Sequence, residues 1–255
     1  MRARNTVALL AGASAFLAIG AAAQAGPRHP AEPGFAEEFH ALDAGRWQVS
    51  DGWSNGRYMS CTWSAANTAP DGGRLRLAIS EATRAGKPFS CGEVRTTGHY
   101  GYGSYRATLK AARLDGVRTA FSTYTGPPFG DAWDEISIAV NGKDTTRVEV
   151  NYVAKGAGRN SVVIELGFDA AQGFHTFGFD WQPDRITWTV DGRPVHSVRG
   201  TPDTLPSAPG RIYLHTWSAT GSPEWLKGFA YPGAPVIAEV ERVAHEDELR
   251  VAHAP

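Results

Sequence analysis

Period-two alternation recurs along this chain, and long helical periodicity does not. "GRLRLAIS" at 73–80 sets Leu75, Leu77 and Ile79 against polar neighbours. "TTRVEVNYV" at 145–153 and "GRIYLHTWS" at 210–218 repeat the pattern. "DRITWTVDGRPVHSV" at 184–198 holds two such runs around Asp191-Gly192, a strong hairpin signal. Side chains alternate between the faces of a strand, so each run offers one apolar face to a core and one polar face to solvent or a ligand. Glycine and proline, with 29 and 16 copies, separate the runs. The chain therefore predicts many short strands and an all-β sandwich. Its 255 residues are enough for a sizeable single core.

The N-terminus follows a different logic. "MRARNTVALLAGASAFLAIGAAAQA" has a basic start at Arg2 and Arg4, an apolar run from Val7 to Ala23 and a small-x-small site at Ala23-Gln24-Ala25. That pattern predicts a signal peptide over residues 1–25 and a secreted or periplasmic protein, with a membrane anchor as the alternative. A flexible lead is expected over 26–34, one domain over 35–244 and a tail over 245–255. The leader contains two of the 25 basic residues and none of the 26 acidic ones, so the remainder is weakly acidic. So small a charge argues against nucleic acid as a partner. No second apolar run is long enough for a bilayer, so no membrane partner is expected after cleavage.

Cys61 and Cys91 are the two cysteines. Export to an oxidising compartment predicts a disulfide between them, contributing about 3–4 kcal/mol in the chain-entropy account. Two buried thiols are the alternative. No Cys or His stands at ligand spacing beside either one, so no metal site is read from them.

"WDEISIAVNG" at 133–142 is the most informative strand. Ile136, Ile138 and Val140 share one face; Glu135, Ser137 and Ala139 share the other. A carboxylate is followed by two small, chemically idle side chains. Aromatic residues collect near glycines and polar residues: Trp53, Tyr58, Trp63, Tyr124, Trp133, Tyr213 and Trp217. They serve either as core or as a groove in which sugar rings stack on aromatic planes.

Several segments, in order, resemble the bacterial lichenases of glycoside hydrolase family 16. They are "GRWQVSDGWSNGRYMSCTW", "FSCGEVRTTGHYGYGSYRATLKAA", "STYTGPPFGDAWDEISI", "GKDTTRVEVNYV", "LGFDAAQGFHTFGFDWQPDRITWTVDG" and "PGRIYLHTW". The resemblance covers about residues 35 to 240. It implies a jelly-roll β-sandwich of two antiparallel sheets with a concave glycan-binding cleft, and a β-glucan polysaccharide or oligosaccharide as partner. It also implies the Cys61–Cys91 disulfide.

The family's catalytic strand is similar to Glu-x-Asp-x-Glu: nucleophile, tuning acid, acid/base. A retaining glycosidase needs two carboxyl groups about 5–5.5 Å apart flanking the scissile bond. Glu135 matches the nucleophile. Ser137 stands at the Asp position and Ala139 at the acid/base position, so both are degenerate. By the same matching Trp53, Asn55, Glu93, Arg95, Tyr124, Trp133, Asn151 and Trp217 keep the sugar-binding pattern. Ser122 replaces an aromatic, Val153 a Tyr and His215 an Asn. His215 is the one titratable newcomer, either a substitute acid/base or a neutral hydrogen-bonding group. No cofactor is expected. A structural calcium would need Glu241 of "AEVERV" at the position of a ligating Asp.

These residues predict a secreted β-glucan-binding or β-glucan-processing protein whose ordinary glycoside hydrolysis is strongly impaired or lost. The alternative is an active hydrolase or transglycosylase with a rebuilt active site. A general acid contributes 10²–10⁴-fold, so its loss decides between them.

Overall fold

The computed structural model describes residues 29–158, 160–221 and 226–247. Sixteen strands follow in chain order: β1 (Phe35–Glu37), β2 (Trp47–Val49), β3 (Cys61–Trp63), β4 (Thr68–Asp71), β5 (Arg74–Arg84), β6 (Lys87–Thr96), β7 (Gly103–Lys110), β8 (Val117–Thr125), β9 (Asp134–Asn141), β10 (Arg147–Val153), β11 (Val162–Glu165), β12 (His175–Gln182), β13 (Arg185–Val190), β14 (Arg193–Arg199), β15 (Arg211–Ser218) and β16 (Val236–Glu246). The alternating runs all became strands. The Asp191-Gly192 turn closes the β13–β14 hairpin with φ of 48° and 74°, the left-handed values a two-residue primed turn requires.

One sheet runs β11-β10-β9-β8-β15-β6, and the second runs β6-β5-β16-β7-β12-β13-β14. Strand β6 belongs to both, pairing β15 on one side and β5 on the other, so the sheets join into a nearly closed sandwich. The ladders are antiparallel except β3 on β6. Apolar faces meet between the sheets. Phe121, Ile136, Ile138, Ile212 and Leu214 from the first pack on Tyr105, Phe177, Phe179 and Trp188 from the second. Trp188 also donates its Nε1–H to the Ser137 carbonyl at 3.1 Å. That bond ties β13 to the middle of β9. The jelly roll expected from the sequence is the fold observed.

Cys61 and Cys91 are bonded, with Cα atoms 5.8 Å apart. Two expected boundaries shift. Residues 245 and 246 belong to β16, not to a tail: His245 is buried between the rings of Tyr100 and Tyr105 and pairs with Tyr105 across β7. Within the expected flexible lead, Ala31 bridges His99, and His29 stacks on the His99 ring. The expected signal peptide and residues 248–255 lie outside the described residues.

Candidate active site

Strand register sets the composition of the face turned away from the core. On β9, Glu135, Ser137, Ala139 and Asn141 point outward while Ile136, Ile138 and Val140 fill the core. Four rows cross the sheet. The first is Val153–Glu135–Tyr124–Arg211, and the second is Asn151–Ser137–Ser122–Tyr213–Arg95. The third is Glu149–Ala139–Ala120–His215–Glu93, and the fourth is Asn141–Arg118–Trp217.

The two acids that open β9 do different jobs. Asp134 is buried and accepts three backbone N–H bonds, from Lys155 at 2.6 Å, Ser207 at 2.7 Å and Ala208 at 3.0 Å. It pins two loops against the strand. Glu135 is half-buried on the open face, and Trp133 Nε1–H donates to its Oε2 at 3.0 Å. That bond orients the carboxylate. Tyr124 faces Glu135 across β8; burial, and then the Glu135 charge, raise its hydroxyl pKa.

Ser137 and Ala139 are both buried, and neither supplies an ionisable group. His215 enters the third row beyond Ala120. Its Nδ1 lies 3.3 Å from Glu93 Oε2, close enough for charge pairing but misaligned for a hydrogen bond. Glu93 is 2% exposed and takes the Ser50 hydroxyl on its other oxygen at 2.6 Å. Beneath it, the Trp63 ring lies 5.9 Å from the imidazole.

The sugar-binding set divides by exposure. Trp53 is 38% exposed, whereas Trp217 is 5% exposed and lies edge-on to the exposed Tyr58. Asn55 is exposed, and its Oδ1 accepts Trp63 Nε1–H at 3.0 Å. Asn151 keeps a buried Oδ1 with no partner, directly across from Ser137. Arg95 donates to Gln48 at 3.1 Å and lies over the Trp53 ring.

Several residues here were not singled out from the sequence. Arg118, Asn141 and Glu149 form one cluster: Arg118 donates to Asn141 at 2.7 Å and to Glu149 at 3.1 and 3.2 Å. Strand parity held the signal. Glu149 is two residues before Asn151, and Asn141 two after Ala139, so each falls on the same face as its neighbour.

The residues at the expected calcium position do not fit that ion. Glu241 and Glu239 both pair with Arg74, Glu239 also pairs with Lys110, and Arg242 pairs with Glu38. The acids are already matched by cations. Among the described residues no group of three or more His, Cys, Asp or Glu gathers for a metal. Nor is any helix among them long and apolar enough to cross a membrane.

An antiparallel sandwich here presents, on one open face, a tryptophan-held carboxylate, unpartnered polar atoms and an exposed aromatic ring, the mix of groups on which a sugar ring can stack and hydrogen-bond. Comparison with known proteins narrows that reading. Residues 55–230 match glycosyl hydrolases family 16, and the chain belongs to that family. It is 43% identical to a β-glucanase of Bacillus subtilis (strain 168) over 196 residues, 76% of this chain and 79% of that protein. It superposes on the β-glucanase of Bacillus licheniformis with a TM-score of 0.80 at 39% identity, covering 85% of this chain and 99% of that one. A β-1,3-1,4-glucanase (lichenase) from a mouse hindgut metagenome gives a TM-score of 0.79 at 39% identity, covering 84% and 99%. The ancestry is lichenase-like and β-glucan-processing.

Proposed function

We propose that this chain is an exported β-glucan-processing enzyme, a hydrolase or transglycosylase, whose reacting centre has been rebuilt around Glu135 and His215. The observation that carries this reading is the third row of the open face. Two small buried residues, Ala139 and Ala120, separate Glu149, which the Arg118 guanidinium holds, from an imidazole that is backed by the buried Glu93 carboxylate. Imidazole is the commonest general acid and base among side chains. The relatives named β-glucanase weigh in the same direction, toward turnover rather than its loss.

A Glu135 carboxylate oxygen bonds to the anomeric carbon as the glycosidic C–O bond breaks. The departing oxygen takes a proton from His215, giving a glycosyl ester on Glu135. His215, now neutral, removes a proton from water in hydrolysis, or from a sugar hydroxyl in transfer, as that oxygen displaces Glu135. Strand spacing puts the two Cα atoms about 16 Å apart, so both side chains must lean toward the bond they flank.

A second reading, glucan binding without turnover, rests on Ser137 and Ala139. One experiment separates the two: incubate the protein with barley β-glucan and laminarin, and measure new reducing ends alongside retardation in an affinity gel. Turnover that is lost in His215→Ala supports the rebuilt centre. Retardation without turnover supports binding alone.

A further inference from the structure

Arg95 and Arg211 stand together on the open face without a counterion. Among the described residues neither forms an ion pair, and both guanidinium groups donate to the same neutral oxygen, Gln48 Oε1, at 3.1 and 3.3 Å. Both lie over the Phe129 ring, at 5.9 and 4.6 Å. Arg211 Nε is buried with no partner at all. The cost of this arrangement shows in the charge itself: burial, and then the neighbouring Arg95, lower the Arg211 pKa. Elsewhere on the face the protein matches its charge, as Arg118 does with Glu149. The nearby Glu93 is turned to Ser50 and His215. Two crowded like charges sharing one carbonyl are stabilised far more by an anion than by a sugar hydroxyl.

We propose that the cleft contains a subsite for an anionic substituent on the glucan chain, a carboxylate or a phosphate ester, gripped by Arg95 and Arg211. The guanidinium fork matches both groups in geometry. Arg211 lies in the same row as Glu135, across Tyr124, with Cα atoms about 10 Å apart. The charged substituent is therefore read on a sugar close to the reacting one. This inference rests on the β-glucan reading above and narrows its substrate.

The test compares barley β-glucan with carboxymethylated and phosphorylated derivatives of the same polymer, matched in length and substitution. Affinity is measured by calorimetry at low salt. An acidic derivative is expected to bind at least about tenfold tighter than neutral glucan, the scale of one charge-assisted contact. Preference for one derivative identifies its acid; equal preference for both identifies charge alone. Arg211→Gln should remove the preference for the acidic derivative, and Arg211→Lys should restore part of it. Arg185→Gln, on the other sheet, should change nothing. The whole chain has 25 basic against 26 acidic residues, so bulk attraction of polyanions is not expected. Equal affinity for neutral and acidic glucans, or a preference that survives Arg211→Gln, overturns the subsite while leaving the glucan reading standing. Binding of no glucan overturns both.

Discussion

Ala139 and Glu149 are direct cross-strand partners on β9 and β10. A carboxylate thus stands one strand away from the position where the family resemblance expects the acid/base. It is already committed: Arg118 and Asn141 hold it, and its side chain is 11% exposed. An ionised group fixed by a guanidinium is poorly placed to give a proton. Its effect on engineering is more direct, because a restored acid at 139 would face a like charge.

Ala139→Glu alone should therefore cost stability, about 1 kcal/mol from like charges directly opposite. Combined with Ser137→Asp it should restore little activity while Glu149 remains. Adding Glu149→Gln relieves the repulsion, and the triple variant should hydrolyse barley β-glucan about 10²-fold faster than wild type. Thermal melts and reducing-sugar assays on the single, double and triple variants check both parts. A triple variant no faster than wild type would refute it.

The two cleft tryptophans should separate. Trp53 is exposed, so Trp53→Ala should leave the melting temperature nearly unchanged and weaken glucan binding roughly 2–10-fold, the scale of one ring contact. Trp217 is almost fully buried, so Trp217→Ala should cost about 3–5 kcal/mol of stability. Paired denaturation and affinity-gel measurements would show whether each ring serves the sugar or the core.

Asp134→Ala should destabilise the protein by about 3 kcal/mol, because it strands the backbone N–H groups of Lys155, Ser207 and Ala208. Asp134→Asn, which keeps an acceptor, should cost less. Urea denaturation orders the three proteins, and a neutral Asp134→Ala would contradict the clamp.

The fold was legible because alternation and turn chemistry are local properties, and β5, β10, β13, β14 and β15 fell where the runs stood. The site was legible only in part. Resemblance picks out positions that match a motif, so it pointed to Glu135, Asn151 and Trp53. It passed over Arg118, Asn141, Glu149 and Arg211, which match no motif and gain meaning only from register across four strands. His245 was misplaced into a tail for the same reason: its aromatic partners, Tyr100 and Tyr105, are far away in sequence.

His99 should make stability depend on mildly acidic pH. It is 6% exposed, its Nε2 has no partner, and its pKa is lowered to about 4 by burial, then by the charges of His29 and Arg211, against Asp131. The unfolded chain takes up a proton near pH 6.5 and the folded one does not. The stabilisation is complete above that pH and is lost as pH falls toward 4, by about 2–3 kcal/mol. Burial lowers the His245 pKa too, so wild type and His99→Gln must be compared. The variant should show a flatter stability curve between pH 7 and 4.5; identical curves would exclude His99.

The reacting centre is most exposed to a substrate that needs no acid. Dinitrophenolate departs from a glucan oligosaccharide without protonation, so its release reports on the nucleophile alone. Glu135, oriented by Trp133, should attack and form the glycosyl ester, giving a burst of dye and added mass on the peptide that contains Glu135. Glu135→Gln should abolish the burst. Breakdown of the ester needs a base, and this step distinguishes the two readings. If His215 supplies it, turnover after the burst is sustained in wild type and slow in His215→Ala, and azide, which needs no base, rescues the variant. If wild type and His215→Ala are equally slow and azide speeds both alike, His215 takes no part in the chemistry. No dye release at all, neither burst nor steady turnover, and no adduct, with the substrate demonstrably bound, would make Glu135 a relic and leave the cleft a binding surface.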